Sequence, residues 1–338
     1  MKLEAWFGTL DLDEDGEVLE SDLFSINVRE LALRSLSLRD AGKGFPPAGF
    51  DLRSAALACG FVESDKEYAS LLHEVTLEAA KLQVSGALTP DQRIILAVEA
   101  LDDINETVNV LSERLSEWYG GYFPESGLSG EDLGRFIAKY GSRRNVDPEN
   151  PLYAKAVDSM GAELEAPDEA LIKGFAGSVC SLYDRRKQIE GYIESSMENI
   201  APNLSLLAGP MLGARLISIA GSLEKLAAFP SSTIQVIGAN KALFKHLRSR
   251  APSPKHGIIF SHPLINTAPW WQRGKIARAL AAKLAMAARM DLYSGEKVPS
   301  LEEKLDAKVQ QIRLSNPEPP RKKQESGAKP KGKKKRRQ

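Results

Sequence analysis

Two long stretches of the chain repeat apolar residues every three or four positions, the spacing of one face of an α-helix. The first begins at Thr89-Pro90, a capping residue followed by the proline that is tolerated at the first helical position. Its apolar positions are Ile94, Val98, Leu101, Ile104, Val108, Leu111, Leu115 and Trp118. At ~1.5 Å per residue such a helix is roughly 40 Å long. The pattern therefore predicts an extended helical element.

The second stretch follows Ala166-Pro167-Asp168 and carries a heptad seam. The seam residues are Ile172, Phe175, Val179, Leu182, Arg186, Ile189, Ile193, Ser196 and Ile200. Two polar residues on an apolar seam are a usual device for fixing the register of a coiled coil. The pattern fits an amphipathic helix packed within one subunit, and equally an antiparallel coiled coil that carries a dimer contact.

The first 65 residues mix short apolar segments with turn residues, which predicts a small α/β domain with hairpins. Within it, DLDEDGEVLESD (residues 11–22) matches the spacing of a calcium-binding loop. A calcium loop needs a helix on each side, whereas the preceding residues are typical of a strand, and Asp22 stands where a bidentate Glu belongs. A hairpin turn at Asp15-Gly16 is the favoured interpretation, and a calcium-binding regulatory coiled-coil protein is the alternative.

Charge is sorted along the 338-residue chain. Residues 1–200 have a net charge of −18, residues 201–316 of +10 and residues 317–338 of +8. This asymmetry is expected when one part of a chain binds nucleic acid and another binds protein. The lysine-rich end has almost no apolar residues, so 315–338 is predicted to be a disordered basic tail. Two cysteines, no apolar run long enough to span a bilayer and no signal peptide predict a cytoplasmic protein.

The segment STIQVIGANKALFKHLR (residues 232–248) raises the question of a strand that feeds a phosphate loop. A phosphate loop requires a second glycine followed by Lys and a hydroxyl residue, and a dinucleotide fingerprint requires further glycines. Neither is present, so Gly238 is predicted to open a turn into a short basic helix. On that helix Lys241, Lys245 and Arg248 share one stripe. Leu243, Phe244 and Leu247 are predicted to dock on the core.

A second basic helix is predicted in QRGKIARALAAKLAMAARMDLYSG (residues 272–295). Lys275, Arg278 and Arg289 share one face, and Ala277, Leu280, Leu284 and Ala287 share the opposite one. Between the two helices, His256 and His262 lie beside Phe260, Trp270 and Trp271. Cations interleaved with rings suit RNA, whose unpaired bases are bound by stacking. No spacing indicates a catalytic or metal site, so the chain is predicted not to be an enzyme and to hold no cofactor.

The chain resembles the Nop-domain family of box C/D ribonucleoprotein core proteins, in particular its archaeal member. The similar blocks are SERLSEWYGGYFPE, SMGAELEAPDE, APNLSLLAGPMLGARLISIAGSLEKLAAFPSSTIQVIGANKALFKHL, KHGIIFSHPLI and GKIARALAAKLAMAARMDLYSGE, and together they extend over roughly residues 90–297. A loosely similar WFG near the N-terminus favours the hairpin over the calcium loop.

The resemblance implies a multidomain, mainly α protein with four parts. These are an α/β domain that binds fibrillarin (1–88), long helices and a coiled coil for self-association (89–200), an all-α Nop domain (201–314) and the tail (315–338). The Nop domain is expected to bind box C/D guide RNA together with a small kink-turn-binding protein that is L7Ae-like. S-adenosylmethionine is expected to bind to fibrillarin and not to this chain. The protein itself is expected in the cytoplasm of an archaeal cell.

The resemblance also implies where RNA is bound. The family's GAEK signature falls on Gly238, Ala239, Asn240 and Lys241, with Asn240 in place of the usual Glu. Residue types and resemblance together predict ten RNA-binding residues: Asn240, Lys241, Lys245, Arg248, Lys255, His256, Lys275, Arg278, Lys283 and Arg289. The implied function is a scaffold for RNA-guided 2′-O-ribose methylation of rRNA or tRNA. A splicing-factor-like Nop-domain protein that organises a kink-turn particle without a methyltransferase is the alternative.

Overall fold

The computed structural model describes residues 1–13, 17–41, 50–249 and 252–319, without the side chains of residues 241, 243 and 247. The chain forms two compact units, which meet between Thr89 and Pro90 in the sequence. Each unit has its own hydrophobic core.

In its described residues, the first unit has three strands and three helices. The strands are β1 (Lys2–Ala5), β2 (Gly8–Leu12) and β3 (Val18–Leu23), and they form an antiparallel sheet in the order β1-β2-β3. The helices are α1 (Val28–Asp40), α2 (Leu52–Ala58) and α3 (Asp65–Gly86). Phe7, Leu10 and Leu31 are fully buried, and Trp6 packs edge-on against Phe61 with ring centroids 5.8 Å apart. This arrangement confirms the predicted α/β domain.

The acidic segment that resembles a calcium loop connects β2 and β3. Strands lie on both sides of it where a calcium loop has helices, and Asp11 pairs with Glu20 across the sheet. The Glu17 amide donates to Asp13 Oδ1 at 2.8 Å. The segment is therefore part of a β-hairpin, although the Asp15-Gly16 turn itself lies outside the described residues. Across the described part of the chain, no group of three or more His, Cys, Asp or Glu residues is placed to hold a metal ion.

The second unit begins with a pair of long helices and a short helical cap. The helices are α4 (Pro90–Gly120), α5 (Gly130–Tyr140), α6 (Tyr153–Val157) and α7 (Ala166–Ile200). The N-terminal half of α4 shares a core with the C-terminal half of α7, while Leu115 near the end of α4 and Ile172 near the start of α7 belong to another cluster. The two helices are therefore antiparallel. With 31 residues, α4 is about 46 Å long at ~1.5 Å per residue.

A few polar residues lie at or beside the largely apolar contact between α4 and α7. Ser112 Oγ lies 3.1 Å from the Tyr183 hydroxyl in the buried interface. Arg186, one of the two polar seam residues, is half-buried and pairs with Glu190 on its own helix at 3.1 Å. The seam residues Ile172, Val179 and Ile193 are fully buried within one chain, and the dimer contact stays a prediction.

Eight further α-helices follow in the described residues of the second unit. They are α8 (Pro202–Ala208), α9 (Pro210–Ala220), α10 (Leu223–Ala228), α11 (Ser231–Val236), α12 (Asn240–Ser249), α13 (Pro263–Asn266), α14 (Trp270–Tyr293) and α15 (Ser300–Ser315). The β-branched residues before Gly238 form helix α11 and not a strand, and Ile234 on this helix is buried in the core of the second unit. Gly238 has a φ of +82°, a conformation that favours glycine, and separates α11 from α12.

One core crosses residue 200, where the sequence suggested a division between domains. It contains residues from the start of α4, the end of α7, the short helices α8 to α11, and the buried faces of α14 and α15. Polar contacts reinforce this core: Arg215 Nη2 lies 2.5 Å from Asp102 Oδ1, and the Leu223 amide donates to Asp91 Oδ2 at 2.9 Å. The long helices and the helices that follow them are thus one body. The separate functions assigned to 89–200 and 201–314 remain predictions.

A buried polar network joins α8, the end of α14 and the segment after it. Asp291 Oδ1 accepts from the Asn203 amide at 2.9 Å and from Asn203 Nδ2 at 2.7 Å, and Asp291 Oδ2 accepts from the Leu204 amide at 2.8 Å. Asn203 Oδ1 in turn accepts from the Val298 amide at 2.7 Å. Burial raises the pKa of Asp291, and its N–H donors oppose that rise. Asp291 thereby supplies the N-terminal cap of α8 from a distant part of the chain.

Within the described residues no single helix is long and apolar enough to cross a membrane. One pair, α8 with α9, meets the length and composition test together, but the two helices are bent by 115° and contribute mostly to the core.

We predict that Asp291→Ala lowers the free energy of unfolding by about 3 kcal/mol or more, because three N–H donors lose a buried acceptor. Asp306→Ala on α15 is the matched control, since Asp306 is exposed. Urea unfolding followed by circular dichroism measures both. Equal stability of the two variants would show that solvent replaces Asp291 at no cost.

Candidate nucleic-acid interface

The second unit contains a long stretch without any acidic residue. No Asp or Glu occurs between Glu224 and Asp291, whereas the same stretch has 11 Lys and Arg residues. The net charge of +10 over residues 201–316 does not by itself show that residues 225–290 contain no acidic residue. Apart from Lys225 and Arg289 at its two ends, the cations of this stretch have no carboxylate nearby in the sequence, which favours binding of an external anion such as phosphate.

Helix α14 carries the clearest basic face. Ile276, Ala277, Leu280, Leu284 and Ala287 are fully buried against the core. The exposed positions recur every three or four residues: Lys275, Arg278, Ala282, Met286, Arg289 and Tyr293. The geometry confirms that the three predicted cations share one outward face. Lys283 is half-buried at the side of this stripe, so its predicted RNA contact is the least direct on α14.

The three exposed cations of α14 have different surroundings. Lys275 Nζ donates to the side chain of Asn316, which follows α15. Arg289 Nε donates to the Ala227 carbonyl at 3.0 Å, at the end of α10. Arg278 makes no hydrogen bond or ion pair with any described residue. Arg278 is therefore the cation of this face with the most freedom to bind a ligand, while Arg289 also stabilises the fold.

Helix α12 presents a second set of cations. Lys245, Arg248 and Asn240 are exposed, and the side chain of Lys241 lies outside the described part of the structure. The prediction that Phe244 docks on the core is wrong, because 62% of its surface is exposed. Phe244 is the fifth of the ten residues of α12 and is exposed like its neighbour Lys245. Contrary to the prediction from its pattern, the apolar face of α12 at Phe244 is therefore not covered by the core. Leu243 and Leu247, predicted to pack with it, are not described.

The turn before α12 is held by the segment that carries Lys255 and His256. The Ile258 amide donates to the Ile237 carbonyl at 2.8 Å, and the Gly257 amide to the Gln235 carbonyl at 2.8 Å. Gly257 is required there, because a Cβ would lie 1.9 Å from the Ile237 carbonyl oxygen. These contacts bring the GANK segment (238–241) and the KHG segment (255–257) close together, although 13 residues separate them in the sequence.

A cluster of rings and cations, here called the ring cluster, consists of Lys255, His256, Phe260, Trp270 and Arg273. The rings of His256 and Phe260 stack at 4.5 Å with an interplanar angle of 15°. The Arg273 guanidinium lies 5.3 Å from the Phe260 ring centroid, and Lys255 Nζ lies 5.6 Å from that of Trp270. Burial, followed by the charges of Arg273 and Lys255, lowers the pKa of His256. These surroundings favour the uncharged form of His256.

Sequence reasoning missed Arg273 as a site residue, because it belongs to no helical stripe with the other cations. Its guanidinium donates to the Ala268 and Asn266 carbonyls at 2.8 and 3.1 Å, which fixes it beside Phe260. His262, by contrast, has a structural role. Its Nδ1 accepts from the Leu264 amide at 3.1 Å and its Nε2 lies 2.9 Å from the Leu207 carbonyl, so both ring nitrogens are occupied.

Comparison with known proteins identifies relatives that share this region. The family described as "Nop: snoRNA binding domain, fibrillarin" matches residues 100–314. An uncharacterised NOP5 family protein of Methanocaldococcus jannaschii is 45% identical over 275 residues, which cover 77% of this chain and 66% of that protein. Nucleolar protein 58 of Botryotinia fuckeliana is 40% identical over 218 residues, covering 60% of this chain and 38% of the relative.

Nucleolar protein 56 of Mus musculus is 38% identical over 246 residues, covering 67% of this chain and 42% of the relative. The chain thus spans less than two thirds of the length of these relatives. The crystal structure of a fibrillarin/Nop5p complex covers 93% of this chain and 100% of the solved one, with 28% identity and a TM-score of 0.45. The family match extends over most of the second unit and includes α12, α14 and the ring cluster. This chain belongs to the Nop family.

Proposed function

We propose that this chain is the scaffold subunit of a box C/D ribonucleoprotein that directs 2′-O-ribose methylation. In this proposal the second unit binds guide RNA and an L7Ae-like kink-turn protein, and the first unit binds fibrillarin. The observation that carries it is the acid-free stretch between Glu224 and Asp291, which presents exposed cations on α12 and α14 inside a domain of the snoRNA-binding family. Such a surface suits phosphate contacts.

The proposed role is positioning and not chemistry. Fibrillarin brings S-adenosylmethionine, and this chain holds the guide RNA at a defined distance from it. Fixing two reactants in a productive geometry lowers the entropic part of a reaction barrier. Within the second unit, α4 and α7 share one core with the basic helices, which supports a fixed position of the bound RNA relative to the long helices.

Self-association through the long helices is part of the same proposal. Several large apolar residues on them are exposed: Leu96 (55%) and Val110 (58%) on α4, and Leu171 (59%) and Tyr192 (46%) on α7. A shallow groove along α4 is lined by Asp103, Glu106, Thr107, Val110 and Leu111. Apolar residues on an otherwise acidic surface favour contact with a second copy of the helices over contact with RNA.

Reconstitution tests the proposed function. The full chain is combined with fibrillarin, a kink-turn protein of the L7Ae type, box C/D guide RNA and S-adenosylmethionine, and methyl transfer to a complementary target is measured while each component is omitted in turn. We expect transfer only in the complete mixture. An assembled kink-turn particle that does not retain fibrillarin would instead support the splicing-factor-like alternative.

We predict that Arg278→Ala weakens binding to the kink-turn particle and reduces the slope of log K against log [salt] by about one unit, because one phosphate contact is lost. The free energy of unfolding should not change, since Arg278 is exposed and has no described partner. Arg185→Ala is the matched control, as Arg185 is an exposed arginine on α7.

Affinity is measured by filter binding between about 50 and 300 mM salt, the range in which counterion release dominates. Unchanged affinity and slope for Arg278→Ala would place the RNA face elsewhere on the unit. An equal loss for Arg185→Ala would mean that only net charge matters.

A further inference from the structure

The ring cluster has features that phosphate binding alone does not require. Phosphate binding requires cations but no aromatic rings. In this cluster, Lys255 lies near the ring of Trp270 and Arg273 near that of Phe260, and both rings are exposed to solvent. Trp270 is 56% exposed and Phe260 36% exposed. Tryptophan is enriched at binding interfaces, because its large ring is apolar while its N–H can reach a polar partner.

The Trp270 ring packs against a neighbouring ring whose position is fixed by hydrogen bonds. Trp271 meets it edge-on, with centroids 5.9 Å apart and an interplanar angle of 88°. Trp271 is itself fixed, because its Nε1 donates to the Asn316 carbonyl at 3.0 Å, and Gln272 Nε2 donates to the same oxygen at 2.7 Å. A ring with a fixed orientation loses little entropy when a ligand binds it.

The cations beside the rings lack protein counter-ions. Neither Lys255 nor Arg273 forms an ion pair with a described residue, and the chain has no acidic residue from 225 to 290. The Lys255 stem lies against Gly274, where an added Cβ would be 3.7 Å from the Lys255 Cδ, so Lys255 extends along the first turn of α14 toward Trp270. His256 adds a flat ring parallel to Phe260.

We propose that the ring cluster is a stacking site for one unpaired RNA base, which lies on Trp270 while Lys255 and Arg273 contact the adjoining phosphates. The proposal rests on the proposed function, which brings RNA to this surface. A base in a duplex cannot offer its face, so the ligand is a nucleotide in a single-stranded segment that adjoins the kink-turn. The site favours RNA over a peptide because a peptide does not supply a flat π-face next to regularly spaced anions.

Two substitutions separate stacking from other roles of Trp270. Trp270→Ala should weaken binding to the kink-turn particle by about 5- to 100-fold, the range for loss of one base–aromatic stack. Trp270→Phe should retain most of the affinity, because a phenyl ring still stacks. Tyr153→Ala removes an exposed ring from α6, at the far end of the long helices, and should have no effect. Urea midpoints are compared to verify that the variants fold equally.

RNA with single abasic nucleotides provides the decisive readout. At one unpaired position, removal of the base should weaken binding of the wild-type chain by a similar factor and leave binding of Trp270→Ala unchanged. Affinity that is the same for Trp270→Ala and wild type would overturn the stacking site, while the Arg278→Ala result still reports on the proposed function.

Two other outcomes also contradict the stacking site. If Trp270→Ala weakens binding but no abasic position does, Trp270 contacts the kink-turn protein and not a base. If Trp270→Phe is as weak as Trp270→Ala, the site requires a feature of tryptophan other than a stacking face. Should Trp270→Ala fail to fold, the abasic series on the wild-type chain still decides the matter: no sensitive position means no stacked base.

Discussion

The second unit depends on one hydrophobic core that joins elements from its two ends and its middle. Ile94 and Val98 at the start of α4, Ile193 and Met197 at the end of α7, and the buried face of α14 belong to the same cluster. If the long helices and the basic helices had separate cores, the chain could bend at residue 200, and the proposed RNA-binding surface would rotate relative to α4 and α7. Because they share one, the position of α14 relative to the far end of α4 is set by packing, which leaves few alternatives in a close-packed interior.

Acidic and basic residues are separated on the surface of the second unit. The long helices have acidic surfaces, and the stretch between Glu224 and Asp291 has no carboxylate at all. Asp291 itself is buried and engaged by Asn203 and Leu204, so it does not counter the basic face of α14. A polyanion is therefore attracted to one end of the unit and repelled from the other, which is a selective arrangement without any base-specific contact.

Much of the fold could be predicted from periodicity, because helical spacing over 30 residues has few competing explanations. The helices α4 and α7, the hairpin of the first unit and the outward cations of α14 are examples. The segment before Gly238 was ambiguous, since six β-branched and polar residues suit a strand as well as a buried helical turn. Phe244 was predicted to be buried because its neighbours are apolar, yet helix pattern alone does not say whether another element covers that face.

The site was only partly predictable for a related reason. Lys275, Arg278 and Arg289 repeat along one helix, so spacing identifies them, but Arg273 joins His256 and Phe260 only through tertiary contact. Likewise, nothing in the sequence distinguishes Arg278, which has no described partner, from Arg289, which caps the end of α10. Partners of this kind depend on where the chain folds back, and local pattern contains no such information.

The central claim, that α4, α7 and the basic helices form one rigid body, is tested most directly by a distance measurement. Spin labels are placed at Glu117 near the end of α4 and at Lys304 on α15, both exposed, with Cys59 and Cys180 replaced by alanine. Pulsed electron paramagnetic resonance should give a single narrow distance that does not change when the kink-turn particle binds. A broad distribution in the free chain, or a shift on binding, would contradict the account.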